Sequence, residues 1–240
     1  KLGTILQKLL DFAQPGISLL EVEHLTDKLI KQSGGTASFK TVEGYKWATC
    51  LCVNEAVVHG VPNAYLLQVG DLLTIDVGLL FKGFHTDTAW TKIIEAQSSK
   101  LKAQNEEKTK FLKIGEVALW KAIDQAKAGN RIGHISHVIQ DVVERVGGYK
   151  IVRSLVGHGV GKALHEAPQV PGVLKGIIDS TPLLEKGMTI AIEVIYAMGK
   201  SDVVYDNQDG WTISTRDKSL SAVFEQTVVI TENGPLLLTK

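Results

Sequence analysis

Four carboxylates stand in apolar runs where a strand should carry an aliphatic side chain: Asp76 in LLTIDVG, Asp87 in GFHTDTAW, Glu193 in GMTIAIEV and Glu225 in SAVFEQTVVI. The first two share a hairpin that turns at Lys82-Gly83. Side chains alternate faces along a strand, and a hairpin with an even-numbered loop pairs positions whose numbers sum to an odd value. Two positions an odd interval apart then share a face, and Asp76 and Asp87 are eleven apart. Either one alone reads equally as a turn or edge aspartate in water, because acids are almost never fully buried unpaired. Side by side in an apolar setting they cannot both stay ionised without something positive between them. A basic side chain or a metal ion would serve.

The elements that must position these acids follow from pattern. Leu2, Ile5, Leu6, Leu9, Leu10 and Ala13 recur at helical spacing until Pro15-Gly16, and a second helix opens at Ser18 with a capping-box Glu21 and runs to Gly34-Gly35. Tyr45 to Val58 reads as one strand, with a turn at Pro62-Asn63 before the hairpin. A polar connection over Gln97 to Lys102 leads to a helix from about Asn105 to Ala128. Later, VVYDNQDGWTIS reads as a hairpin turning near Asp209-Gly210, and the strand containing Glu225 follows it. The expected class is α+β, with helices on one side of a strongly bent, mostly antiparallel sheet and the acids on its other face.

The chain also repeats itself. QPGISLLEVEHLTDKLIKQSGG from Gln14 aligns without a gap to KAGNRIGHISHVIQDVVERVGG from Lys127, HGV at His59 recurs at His158, and GDLLTIDV over GMTIAIEV superposes Asp76 on Glu193. Three matches in one order predict a single domain of two related halves, about 1–110 and 111–240, facing each other across an approximate two-fold axis. That pairing would bring the four acids to one cleft beside His158 and His165, which flank a glycine-rich turn. So much negative charge outweighs one imidazole, whereas two divalent cations about 3.5 to 4 Å apart would balance it. Oxygen ligands with one imidazole suit Mn, Fe, Co or Zn. His24, His134 and His137 lie on helices without acidic company and read as surface or core residues. His85 shares the face of Asp87, with either reading open, and His59 stands out because its counterpart is His158.

Bulk properties narrow the class. The 240 residues are 44% hydrophobic, enough for a large core, and 26 basic side chains cancel 26 acidic ones. A zero net charge argues against nucleic acid or an anionic membrane as a partner recognised by bulk electrostatics. No apolar run approaches the roughly 18 residues of a membrane span, and no secretory pattern opens the chain. Cys50 and Cys52, alternate positions on one strand, read as reduced thiols of a cytoplasmic protein. Lys1 already lies in a helical pattern, so native residues are expected before it.

At these residues the sequence resembles a known family. NEAVVHGVP, LLTIDVG, GFHTDTA, LVGHGVGKALHEAPQV, GMTIAIE, WTISTRDKSLSAVFEQT and the closing NGP are together similar to type I methionine aminopeptidase, of the pita-bread fold, over essentially the whole chain. The resemblance implies a dinuclear centre ligated by Asp76, Asp87, His158, Glu193 and Glu225, with Asp87 and Glu225 bridging. It implies that His59 and His165 contact the substrate and stabilise the transition state. Glu193, as a metal ligand that also faces the water, is the candidate to accept its proton. By position, Phe39, Tyr45, Cys50, Leu164 and Trp211 would wall the methionine pocket. Val194 stands where the family usually has proline, and Leu164 where an aromatic is common. Only 27 residues separate His165 from Glu193, too few for the helical insertion of type II enzymes. The implied partners are N-terminal peptides of nascent proteins with a small second residue, met by a monomer with possible ribosome association. An X-Pro dipeptidase or aminopeptidase of the same fold is the near rival, although such enzymes usually carry a further N-terminal domain that is not expected here. A metal-free peptide-binding module is the distant rival.

Overall fold

The computed structural model describes residues 1–95, 105–205 and 208–240; the polar connection expected over Gln97 to Lys102 lies outside them. Helix α1 (Leu2–Phe12) buries Leu2, Ile5, Leu6 and Leu9 along one face. Helix α2 (Leu19–Gln32) opens on the expected capping box, in which Ser18 Oγ accepts from the Glu21 N–H at 3.2 Å and the Glu21 carboxylate accepts from the Ser18 N–H at 2.8 Å. A short β1 (Thr36–Ala37) follows. The single strand expected over Tyr45 to Val58 is two, β2 (Thr49–Val53) and β3 (Ala56–Val58). Asn54 parts them with φ 57°, a left-handed conformation that asparagine tolerates. Its side chain then bonds both the N–H of Leu72 and the carboxylate of Asp71, which fixes the turn.

Strands β4 (Leu72–Phe81) and β5 (Phe84–Ile93) form the predicted hairpin. Phe81 pairs with Phe84 around Lys82 and Gly83, both at positive φ as a type I′ turn requires. Asp76 lies opposite Ala89 and Asp87 opposite Gly78, so the two acids share a face as diagonal neighbours.

The second part of the chain begins with α3 (Glu106–Ile123) and α4 (Ile132–Gln140), the latter running on into a wider turn over Asp141–Val146. Strands β6 (Lys150–Ile151), β7 (Val156–Gly159), β8 (Glu166–Pro171) and β9 (Thr189–Ala197) follow. The chain then adds β10 (Val203–Tyr205), β11 (Ile213–Thr215), β12 (Ser221–Thr231) and β13 (Gly234–Leu237). β9 and β12 pair along their length with Glu193 directly opposite Glu225.

Among the described residues every ladder is antiparallel. β4 carries β5 on one edge and β1 and β2 on the other. β13, β12, β9, β7 and β8 follow one another in a second sheet, and a small third sheet of β10, β11 and β3 ties late residues to early ones. Period-two alternation explains which face each helix pair covers. Leu73, Ile75, Val77 and Leu79 of β4 join the core under α1 and α2, while Ile190, Ile192 and Val194 of β9 with Phe224 of β12 join the core under α3 and α4. Asp76, Glu193 and Glu225 have the opposite parity in these strands and therefore project from the faces that no helix covers.

Candidate metal centre

A cavity of about 650 Å³ opens on those uncovered faces, and every residue singled out for the site in the sequence lines it. The four acids, the three histidines His59, His158 and His165, and the five wall residues Phe39, Tyr45, Cys50, Leu164 and Trp211 are all on its surface. Asp87, His158 and Glu225 each offer a ligand atom within 4.8 Å of one another, and Glu193 Oε1 lies 3.5 Å from His158 Nε2. No lysine or arginine lines the cavity among the described residues. Of the two ways to compensate the acids, the basic side chain is thus absent from the wall.

The electrostatics show how uncomfortable the acids are alone. Burial pushes all four carboxyls up, Asp87 to about 7 and the other three well above their ordinary values. Mutual repulsion adds to burial at Asp76, Glu193 and Glu225, whereas Asp87 is partly relieved by the Asp76 carboxyl and the Thr88 N–H. Asp76 Oδ1 and Glu225 Oε1 are buried with no hydrogen-bond partner. A buried polar atom left unpaired costs about 1–3 kcal/mol, so two such oxygens within one acidic cluster fit cation ligands better than structural acids.

His158 is prepared as a neutral donor. Its Nδ1 lies 2.8 Å from the Gly159 carbonyl, which can only accept, so Nδ1 carries the proton and Nε2 is left bare toward Glu193. Burial lowers its pKa to about 4. The 3.5 Å contact with Glu193 is therefore no ion pair near neutrality. The donor set is four carboxylates and one neutral imidazole, which fits divalent Mn, Fe, Co or Zn.

His165 stacks edge-on against His158 with ring centroids 4.5 Å apart. His59 and His165 both keep solvent access, yet the protein around their rings lowers both pKa values by desolvation. His59 has φ 57°, a conformation rare for a non-glycine residue. The next residue explains the local path: a Cβ on Gly60 would collide with the Leu51 carbonyl, and the Gly60 carbonyl accepts from the Leu51 N–H at 2.8 Å. Gly159 after His158 is confined likewise, its would-be Cβ colliding with the Ala167 carbonyl. Both His-Gly pairs thus have a steric reason for the glycine.

Phe39, Tyr45, Cys50 and Leu164 form a buried apolar cluster with Val42, Trp47, Val61 and Trp211 packed on it. Tyr45 meets Trp211 edge to face at 5.0 Å and donates its hydroxyl proton to the Thr49 carbonyl at 2.8 Å. Asp209 accepts the N–H groups of Trp211 and Thr212, each at 2.8 Å, and so fixes the turn that presents Trp211. Val42 lines the cavity too and escaped sequence reasoning, because it lies in an irregular segment with no periodicity to place it. Val194 is buried in the helix-facing core, and β9 continues through it unbroken.

The remaining histidines and cysteines lie outside the cavity wall, Cys50 excepted. His24 and His137 are exposed, and His134 Nδ1 accepts from the Arg131 N–H at the start of α4. His85 is buried with Nδ1 2.6 Å from Ser38 Oγ, and its N–H donates to the Gly161 carbonyl at 2.7 Å. Both cysteines are free and buried.

Comparison with known proteins adds an independent line. The model of "Metallopeptidase family M24" matches residues 2–232. The chain is similar to methionine aminopeptidase 1 of Bacillus subtilis, 39% identical over 227 residues that cover 95% of this chain and 87% of that protein. It is 40% identical to methionine aminopeptidase of Clostridium perfringens over 238 residues, covering 99% and 91%. Its backbone is similar to the crystal structure of methionine aminopeptidase from Thermotoga maritima, with TM-score 0.92 and 39% identity across 100% of this chain and 92% of that one. A prolidase from Pyrococcus furiosus, at TM-score 0.74 and 23% identity, shares the fold alone and is covered over 60% of its length.

Proposed function

This chain belongs to metallopeptidase family M24, and from that premise we propose that it is a metal-dependent aminopeptidase of the pita-bread fold that removes the N-terminal methionine from peptides and nascent proteins. The observation that carries the site assignment is the group of four carboxylates, Asp87 and Glu225 buried and Asp76 and Glu193 half-buried, with one neutral imidazole around a cavity with no basic side chain on its described wall. Asp76, Asp87, His158, Glu193 and Glu225 would hold two divalent cations, which would supply Lewis acidity and a water of lowered pKa.

The chain's own residues supply the rest. Glu193, whose burial raises its proton affinity, accepts the proton of the attacking water and delivers it to the departing amine. His59 and His165, held neutral by desolvation, donate hydrogen bonds to the substrate amide and the tetrahedral oxyanion, worth about 2.7 to 4 kcal/mol for a well-placed oxyanion donor. Phe39, Tyr45, Cys50, Leu164 and Trp211 wall a slot suited to an unbranched thioether, and a small second residue is the preference that the family resemblance implies. We read the two helix-covered sheets as the halves of one catalytic domain, about 1–110 and 111–240, acting as a cytoplasmic monomer able to meet nascent chains at the ribosome.

Chelated protein given back Mn, Fe, Co or Zn singly and assayed on Met-Gly-Met against an Ala-Pro peptide tests this. Methionine release that depends on added metal, with the proline peptide left intact, is the expected result. Preference for the proline peptide would assign an X-Pro peptidase, and hydrolysis surviving in Glu193→Ala would remove Glu193 from the chemistry.

A further inference from the structure

Asp87 and Glu225 come from different sheets, on β5 and β12, and these strands run side by side with no backbone ladder between them. Threonine side chains replace it. Thr227 Oγ1 accepts from the Asp87 N–H at 2.9 Å and donates to the Asp87 carbonyl at 2.7 Å, so one hydroxyl satisfies both backbone groups of that residue. In return Thr88 Oγ1 donates to the Glu225 carbonyl at 2.8 Å. Each acid is thereby gripped through its backbone by a threonine placed one or two positions beyond the other acid. Farther along, Thr91 Oγ1 makes the same double contact with Val223, donating to its carbonyl at 2.8 Å and accepting from its N–H at 2.9 Å. Thr88, Thr91 and Thr227 are all buried.

A hydroxyl inserted between two strands holds them farther apart than the roughly 4.8 Å of a direct ladder. It also fixes that separation, because each rung has one geometry that satisfies both partners. We propose that Thr227 and Thr88 are positioning residues of the metal centre, setting the distance across which the carboxylates of Asp87 and Glu225 face each other. This rests on the reading of those acids as metal ligands. Groups that orient ligands from behind govern affinity strongly, and their loss typically costs 10–100-fold in metal binding.

The Thr91 rung makes the test sharp, because it joins the same strands by the same pair of bonds, with a further one to Thr74 Oγ1 at 2.7 Å, but grips a residue that is no ligand. Chelated full-length protein is titrated calorimetrically with Mn(II) alone, and kcat and KM on Met-Gly-Met are then measured with Mn(II) saturating. Thr227→Val, which keeps the shape and removes the hydroxyl, is expected to raise the Mn(II) dissociation constant about tenfold or more and to lower kcat with KM unchanged. Thr227→Ser is expected to recover both, while Thr91→Val lowers Tm and keeps the wild-type Mn(II) isotherm. If Thr227→Val does not fold, Thr88→Val, which removes one hydrogen bond, is compared with Thr91→Val on the same terms. An isotherm unchanged by loss of the Thr227 or Thr88 hydroxyl, or shifted equally by Thr91→Val, overturns the positioning role. Wild-type protein that takes up no Mn(II) would instead overturn the metal reading on which it rests.

Discussion

His59 is held at φ 57°, in the left-handed region that costs a non-glycine residue about 1–2 kcal/mol. Strain kept at a cavity wall implies that the ring earns its place by contact with the substrate. His59→Gly should therefore raise unfolding stability by about 0.5 to 1 kcal/mol, after the greater freedom of an unfolded glycine is deducted, while kcat/KM falls by about 10²–10³. His59→Ala should lose the activity without gaining the stability. Urea unfolding beside steady-state kinetics reads both, and a destabilised but active His59→Gly would deny the ring its role. At this scale the acids are legible from sequence, because a carboxylate inside LLTIDVG or SAVFEQTVVI breaks the apolar pattern. Thr88 and Thr227 are not. Threonine is an ordinary strand residue, and the partners of the Asp87–Thr227 bond lie 140 positions apart, so neither identity nor spacing marks it.

The elements place these side chains through a few backbone positions with no steric slack. A Cβ on Gly60 would meet the Leu51 carbonyl, so Gly60→Ala forces the His59 loop away from β2. We expect a loss of about 1–3 kcal/mol together with a fall in kcat. Gly83→Ala is the contrasting case: nothing stands near its would-be Cβ, and only its φ of 82° is strained. It should cost about 1 kcal/mol and leave kcat at the wild-type value. Thermal melts and turnover on Met-Gly-Met separate the two, and equal effects on kcat would show that the close approach at Gly60 does not align His59. The same reasoning explains which elements are legible. The Lys82-Gly83 turn follows from local φ preference and its parity follows from the pleat, so the shared face of Asp76 and Asp87 is predictable. The break between β2 and β3 is not, because Asn54 sits inside an apolar run and is held by Asp71 and Leu72 from a strand that lies later in the chain.

Over the whole molecule, a zero net charge conceals a cavity whose wall carries five acids and, among the described residues, no lysine or arginine. That imbalance makes stability depend on pH and metal together. A carboxyl whose folded pKa is raised stabilises the fold fully below its unfolded value, near 4, and loses that contribution as pH rises through the folded value. For Asp87 the loss runs up to about 7, and for Asp76, Glu193 and Glu225 it also lies above their ordinary range. His158, lowered to about 4, works in the opposite sense: its contribution is present above the unfolded value near 6.5 and is lost as pH falls toward 4. Above about pH 6.5 the His158 imidazole has at most about 0.4 kcal/mol (RT ln 2) left to contribute, and the carboxyls dominate. Metal-stripped protein should therefore lose Tm between pH 6.5 and 8, by about 2–4 °C for each kcal/mol removed. A divalent cation displaces those protons, so the rise in Tm at a fixed excess of Mn(II) should be small at pH 5 and grow steadily to pH 8. Asp87→Asn, which cannot ionise, should flatten the metal-free profile across pH 7 and shrink the Mn(II) response at every pH. A metal-free Tm that climbs from pH 6.5 to 8, or a Mn(II) shift independent of pH, would mean that the acids in this cavity find their compensation within the protein.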